Sequence, residues 1–216
     1  VLFCKYHFRN CYNLGFSSME IMKYQEIRHT LNTGDILLFS GKGVVSSMIQ
    51  WFTRSQWSHV AMVIRSLELD MLLSWESTTL SKVKDIRSGT AKQGVQLVAL
   101  SDRINTYDGT IAVRKLEGVE VDPPRLRELQ LLRDEVKNRP YEESKIELAK
   151  SAYDGPFGHN EEDLSSLFCS ELIAEAYQRM GFLSNMISSN EYTPANFGDQ
   201  IVLKEGSLGE IIELEA

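Results

Sequence analysis

The sequence predicts an α+β fold, with an antiparallel sheet packed against helices. Strand-length runs of apolar and β-branched residues fall before residue 117, and helical patterns gather after Pro123. Strands and helices are therefore segregated and do not alternate as βαβ units. No internal repeat and no Gly/Ser- or Pro-rich linker interrupts the 216 residues, 43% of which are hydrophobic. That length and apolar content suit one domain with a sizeable core.

Gly34–Asp35 opens the first strand-length run, Ile36 to Phe39. After a turn over Ser40–Gly43, Val45, Met48, Ile49 and Phe52 recur at helical spacing. Ser58 to Arg65 (SHVAMVIR) reads as a buried strand, and Met71 to Ser77 as its hairpin partner across a polar break at Leu67–Asp70. Val95 to Leu100 and Thr110 to Leu116 are two further strands flanked by Gly or Asp. Pro123–Pro124 starts a helix whose Leu126, Leu129, Leu132 and Val136 mark one face until Pro140 ends it. Tyr141 to Ala152 reads as a second short helix, and Gly155 to Asp163 as loop. SSLFCSELIAEAYQRMG is the clearest helix, with Ser165 or Ser166 as cap and Gly181 as terminator. Cys169, Leu172, Ile173, Ala176 and Met180 share one of its faces.

The formal charge is −7, from 23 Lys and Arg against 30 Asp and Glu. That balance argues against binding to a phosphate backbone, which needs clustered positive charge, so no nucleic-acid partner is expected. No apolar run is long enough for a transmembrane helix. Residues 1–18 carry Lys5, His7 and Arg9 through them and read poorly as a secretory signal, so a reducing cytoplasm is the default expectation. They read as an N-terminal extension preceding a single catalytic domain over 19–216. Of the three cysteines, Cys4 and Cys11 lie in that extension with His7, at a spacing matching no common zinc site. At most one pair can form, which leaves a thiol to explain. No metal and no cofactor is expected.

Cys169 is placed in the first turn of the late helix. Unpaired N–H groups and the positive end of the helix dipole favour a thiolate there and could hold an oxyanion. A cysteine on a buried helical face is more commonly a small core residue. A nucleophile needs a base, and His59 stands out among four histidines because it interrupts an apolar strand, where a buried imidazole requires a polar partner. Glu76, in LLSWEST, could share a face with His59 across the hairpin and orient its ring. His159 lies in the polar loop ten residues before Cys169 and is a candidate substrate contact.

The segments TGDILLFSG, WSHVAMVIR, LLSWEST, RPYEESK, LFCSELIAEAYQRMG and YTPANF together resemble the circularly permuted branch of the NlpC-type papain-like superfamily. That branch includes the YiiX and YaeF hydrolases and is related to the lecithin:retinol acyltransferase group. The match runs from Thr33 to Phe197, and no single segment is diagnostic. The resemblance implies a permuted papain-like fold, with Cys169 as nucleophile, His59 as base and later acid, and Glu76 orienting His59. It also sets Tyr141, in the R-P-Y segment, near the cleft. Glu171, in C-S-E-L, reads as a capping or supporting group.

These expectations lead to a cysteine hydrolase that cleaves an amide or peptide bond through an acyl-enzyme. A lipid acyltransferase or thioesterase of the same fold is the alternative, and a catalytically silent binding module is the alternative of another class. The expected substrate is thus a peptide, amide or acyl-lipid. Ser40-Gly-Lys-Gly lacks the spacing of a phosphate loop. The aromatic surface of Val44 to Phe52 with Trp57 reads first as core and second as a weak lipid-facing lip.

Overall fold

Runs of β-branched and large apolar residues become the sheet, and the computed structural model describes residues 19–42, 46–47, 50, 53–78, 82–137, 161–199 and 201–216, with only the backbone of 161–168. The elements in chain order are β1 (Glu20–Lys23), α1 (Tyr24–Ile27), β2 (Ile36–Gly41), β3 (His59–Ser66), β4 (Met71–Thr78), β5 (Gly94–Ala99), α2 (Leu100–Thr106), β6 (Gly109–Glu117), α3 (Pro123–Val136), α4 (Glu161–Arg179), α5 (Pro194–Gly198) and β7 (Ser207–Glu215). The strands form one seven-stranded sheet in the order β1-β7-β6-β2-β3-β4-β5. Every pairing is antiparallel except β1 with β7. An α+β architecture with a predominantly antiparallel sheet is therefore what the chain adopts.

Helices cover both faces, and side-chain alternation along each strand divides the core in two. Ile36 and Leu38 of β2, Val60, Met62 and Ile64 of β3, and Trp75 of β4 face α3 and α4. Leu37, Phe39, Ala61, Val63, Ile111 and Val113 face the other way, toward Tyr24 and Ile27 of α1 and Leu100 of α2. Because both faces are covered, β2 and β3 read as continuous apolar runs with no polar alternation.

Asp35 fixes where β2 begins. Its carboxylate accepts the Asn32 N–H at 2.8 Å and the Leu116 N–H at 2.9 Å, tying the incoming turn to β6. Asp122 caps α3 by accepting the Arg125 N–H at 3.0 Å, with Pro123 and Pro124 directly after it. Gly181 closes α4 at φ +82°, with Phe182 N–H bonded to the Tyr177 carbonyl and Gly181 N–H to that of Gln178, the Schellman arrangement.

Several expectations need correction. The late helix starts at Glu161, so Ser165 and Ser166 lie inside it, and Glu161 to Asp163 are helix and not loop. Leu100 begins α2 instead of ending a strand. Ser40 and Gly41 belong to β2 and not to a turn. Leu126 is exposed, while Leu129, Leu132 and Val136 are buried as expected. Strands β1 and β7 had no sequence-based counterpart. Val45, Met48, Ile49 and Phe52, the helix Tyr141 to Ala152 and the extension 1–18 lie outside the described residues.

Candidate active site

The first residue of β3 is His59, and β4 ends two residues beyond Glu76. In the β3–β4 register Met62 stands opposite Trp75, which sets Glu76 against Ala61, one alternation from His59 on the same face. The two side chains therefore converge, and His59 Nε2 meets Glu76 Oε2 at 2.8 Å. Both are buried, His59 at 8% exposure and Glu76 at 1%. His59 also makes a side-chain hydrogen bond with Cys169. Cys169 belongs to the core on the α4 side.

The electrostatics follow from this placement. Burial pulls the His59 pKa down, but the negative charge and hydrogen bond of Cys169, followed by those of Glu76, push it up to about 9. Burial pushes Glu76 up, yet the Arg103 guanidinium and the His59 imidazolium hold it below the usual carboxylate range. At neutral pH His59 is an imidazolium beside the Glu76 carboxylate.

Two residues of the site were not anticipated. Arg103 of α2, 1% exposed, donates from Nε at 2.9 Å and from Nη2 at 2.6 Å to Glu76 Oε1. Tyr107 follows α2, packs edge-on against Phe39 with ring centroids 5.1 Å apart, and hydrogen-bonds Ser58. Phe39 in turn packs against the His59 ring at 5.0 Å. Burial pushes the Tyr107 phenol up to about 12, so it stays neutral. A signal for both was in the sequence: Leu100, Arg103, Ile104 and Tyr107 recur at helical spacing, an apolar stripe broken by one arginine. An arginine on such a stripe requires a buried counter-ion.

Cys169 does not sit in the first turn of its helix. Eight residues of α4 precede it, about two turns and roughly 12 Å of axis, and the dipole effect fades within the first turn. Its position in the chain is fixed another way, by Ser170, whose buried hydroxyl donates to the Tyr192 carbonyl at 2.6 Å. Glu171 is likewise too far along the helix to cap it. Tyr141 and His159 lie outside the described residues. Among the described residues no group of three or more His, Cys, Asp or Glu could hold a metal ion, and no helix is long and apolar enough to cross a membrane.

No protein-family model matches the chain, and no curated protein matches it. Among solved structures, the crystal structure of metalloprotein YiiX from Escherichia coli O157:H7 is similar, with a TM-score of 0.47 and 18% identity, covering 85% of this chain and 96% of that one. At that level of likeness the chemistry has to be read from this chain's own residues.

Proposed function

We propose that this protein is a thiol hydrolase of the permuted papain-like type, a single catalytic domain over residues 19–216 that cleaves an amide or peptide bond through an acyl-enzyme on Cys169. The observation that carries the reading is His59, buried between the Glu76 carboxylate and the Cys169 thiol with its proton affinity raised. A core cysteine that only fills space has no need of an imidazole held by a buried carboxylate.

In this reading the Cys169 proton resides on His59, and the sulfur attacks the carbonyl carbon. As the tetrahedral intermediate collapses, the C–N bond breaks and His59 gives its proton to the leaving amine. Neutral His59 then takes a proton from water as its oxygen attacks the thioester carbon. Collapse of the second intermediate expels the Cys169 thiolate and releases the acid. Glu76 stays ionised throughout, holding the ring and stabilising the imidazolium whenever it forms. The helix-start N–H groups expected as an oxyanion site lie about two turns from Cys169, too far to hold the oxyanion.

One observation favours the silent binding module: Cys169 is 0% exposed. The hydrolase reading therefore requires the covering groups to move before substrate enters. Turnover of a peptide and small-amide library by the parent and by Cys169→Ala tests the choice. The hydrolase loses all measurable turnover in the variant while its melting temperature stays close to that of the parent. Equal turnover of any substrate by both proteins removes Cys169 from the chemistry.

A further inference from the structure

Helix α2 has only seven residues, yet it carries one of the largest fully buried side chains of the chain, Arg103. Burial of a guanidinium is unfavourable unless it is both paired and hydrogen-bonded. Arg103 meets that requirement on one atom, Glu76 Oε1, through Nε and Nη2. The other oxygen of the same carboxylate holds His59 Nε2. The guanidinium therefore fixes Glu76 in the rotation that presents Oε2 to the imidazole.

We propose that Arg103 is a positioning residue of this site, fixing Glu76 and supplying the positive charge that lets a Cys169–His59 ion pair exist in a buried cluster of no net charge. This rests on the thiol-hydrolase reading. With Arg103 and His59 positive and Glu76 and Cys169 negative, the four charges cancel. Without Arg103 the same ion pair leaves one uncompensated buried negative charge. The neutral alternative keeps Glu76 and His59 paired and returns a proton to the Cys169 sulfur, so loss of Arg103 removes the nucleophile at neutral pH and below. The groups facing His59 are Glu76 from β4, Cys169 from α4 and the Phe39 ring from β2. Arg103 from α2 faces Glu76, and the Tyr107 phenol, neutral over the working range, senses Glu76, Arg103 and Cys169 together.

The test is iodoacetamide modification of Cys169 in the full chain, followed by peptide mapping from pH 5.5 to 9, in the parent, Arg103→Met and Arg103→Lys. The parent is expected to react well below the range of an ordinary thiol. Arg103→Met is expected to react at least about tenfold more slowly at pH 6 and to approach the parent by pH 9, and Arg103→Lys to recover most of the loss. An arginine of merely structural importance would change the rate by the same factor at every pH. A parent-like profile in Arg103→Met overturns the proposal and leaves the hydrolase reading standing. A parent that itself reacts only as an ordinary thiol overturns both. Should Arg103→Met fail to fold, Arg103→Gln, which keeps an N–H donor without the charge, must show the same pH-dependent loss, and a parent-like profile there refutes the proposal.

Discussion

His59 binds its proton more tightly in the folded chain than in the unfolded one, because the charges on Cys169 and Glu76 outweigh the burial that opposes them. Stability from that difference is complete below the unfolded value near 6.5 and is lost as pH rises through the folded value of about 9. In the proposed ion pair, however, the His59 proton is the one Cys169 gave up, so the pair as a whole loses stability only above the ordinary thiol range. Urea midpoints are expected to stay near level from pH 7 to 8, to fall modestly from pH 8 to 9, and to lose that fall in His59→Gln. A midpoint that rises between pH 8 and 9 and does so equally in His59→Gln contradicts the charge arrangement. Glu76 is the second test at this scale. Glu76→Gln keeps the shape but leaves the Arg103 guanidinium without its counter-ion, a change of about 3–5 kcal/mol for a broken buried pair. It is also expected to lower kcat/KM by about 10²–10⁴-fold, since nothing then stabilises the imidazolium, and the two effects are separated by melting curves run beside the kinetics.

Among the elements, the turn into β2 depends on a single carboxylate. Asp35→Ala strips the Asn32 and Leu116 N–H groups of their acceptor and is expected to cost about 2–4 kcal/mol in urea unfolding. A loss within experimental error would show that water replaces both bonds. In α5, Gly198 lies directly on the Trp57 indole, where a Cβ would overlap the ring. Gly198→Ala is accordingly expected to lower stability by about 1–3 kcal/mol in the same assay, through displacement of a large buried side chain. How legible each element was follows the same physics. β2 and β3 were readable because both sheet faces are covered, so they form apolar runs, and β4 because it follows β3 across a short polar break. β7 was not, because Ser207–Glu215 lies near the sheet edge, carries Glu210, Glu213 and Glu215, and buries only Leu208 and Leu214 fully. β1 is four mostly exposed residues whose place comes only from pairing with β7. Of the candidate site, His59 and Glu76 were readable from a polar residue inside an apolar strand and from hairpin register. Arg103 is less legible, because a lone arginine on a seven-residue helix does not show which distant carboxylate it pairs with.

For the molecule as a whole, the sheet order carries the site together from distant parts of the chain. His59 comes from β3, Glu76 from β4, Arg103 from α2 and Cys169 from α4, and the two apolar cores hold these elements from opposite faces of the sheet. The charge of −7 argues against a role built on clustered positive charge, and the proposed chemistry rests instead on the buried Arg103, Glu76, His59 and Cys169 side chains. The central claim is that Cys169 forms a covalent acyl intermediate with the help of His59. It is tested most directly by incubating the full chain with activated peptidyl and fatty-acyl probes and mapping the adduct by mass spectrometry. The predicted result is one acyl group on the Cys169 peptide, absent from Cys4 and Cys11, faster with the peptidyl probe and lost in His59→Ala. Acylation spread over all three cysteines, or an undiminished Cys169 adduct in His59→Ala, would contradict it.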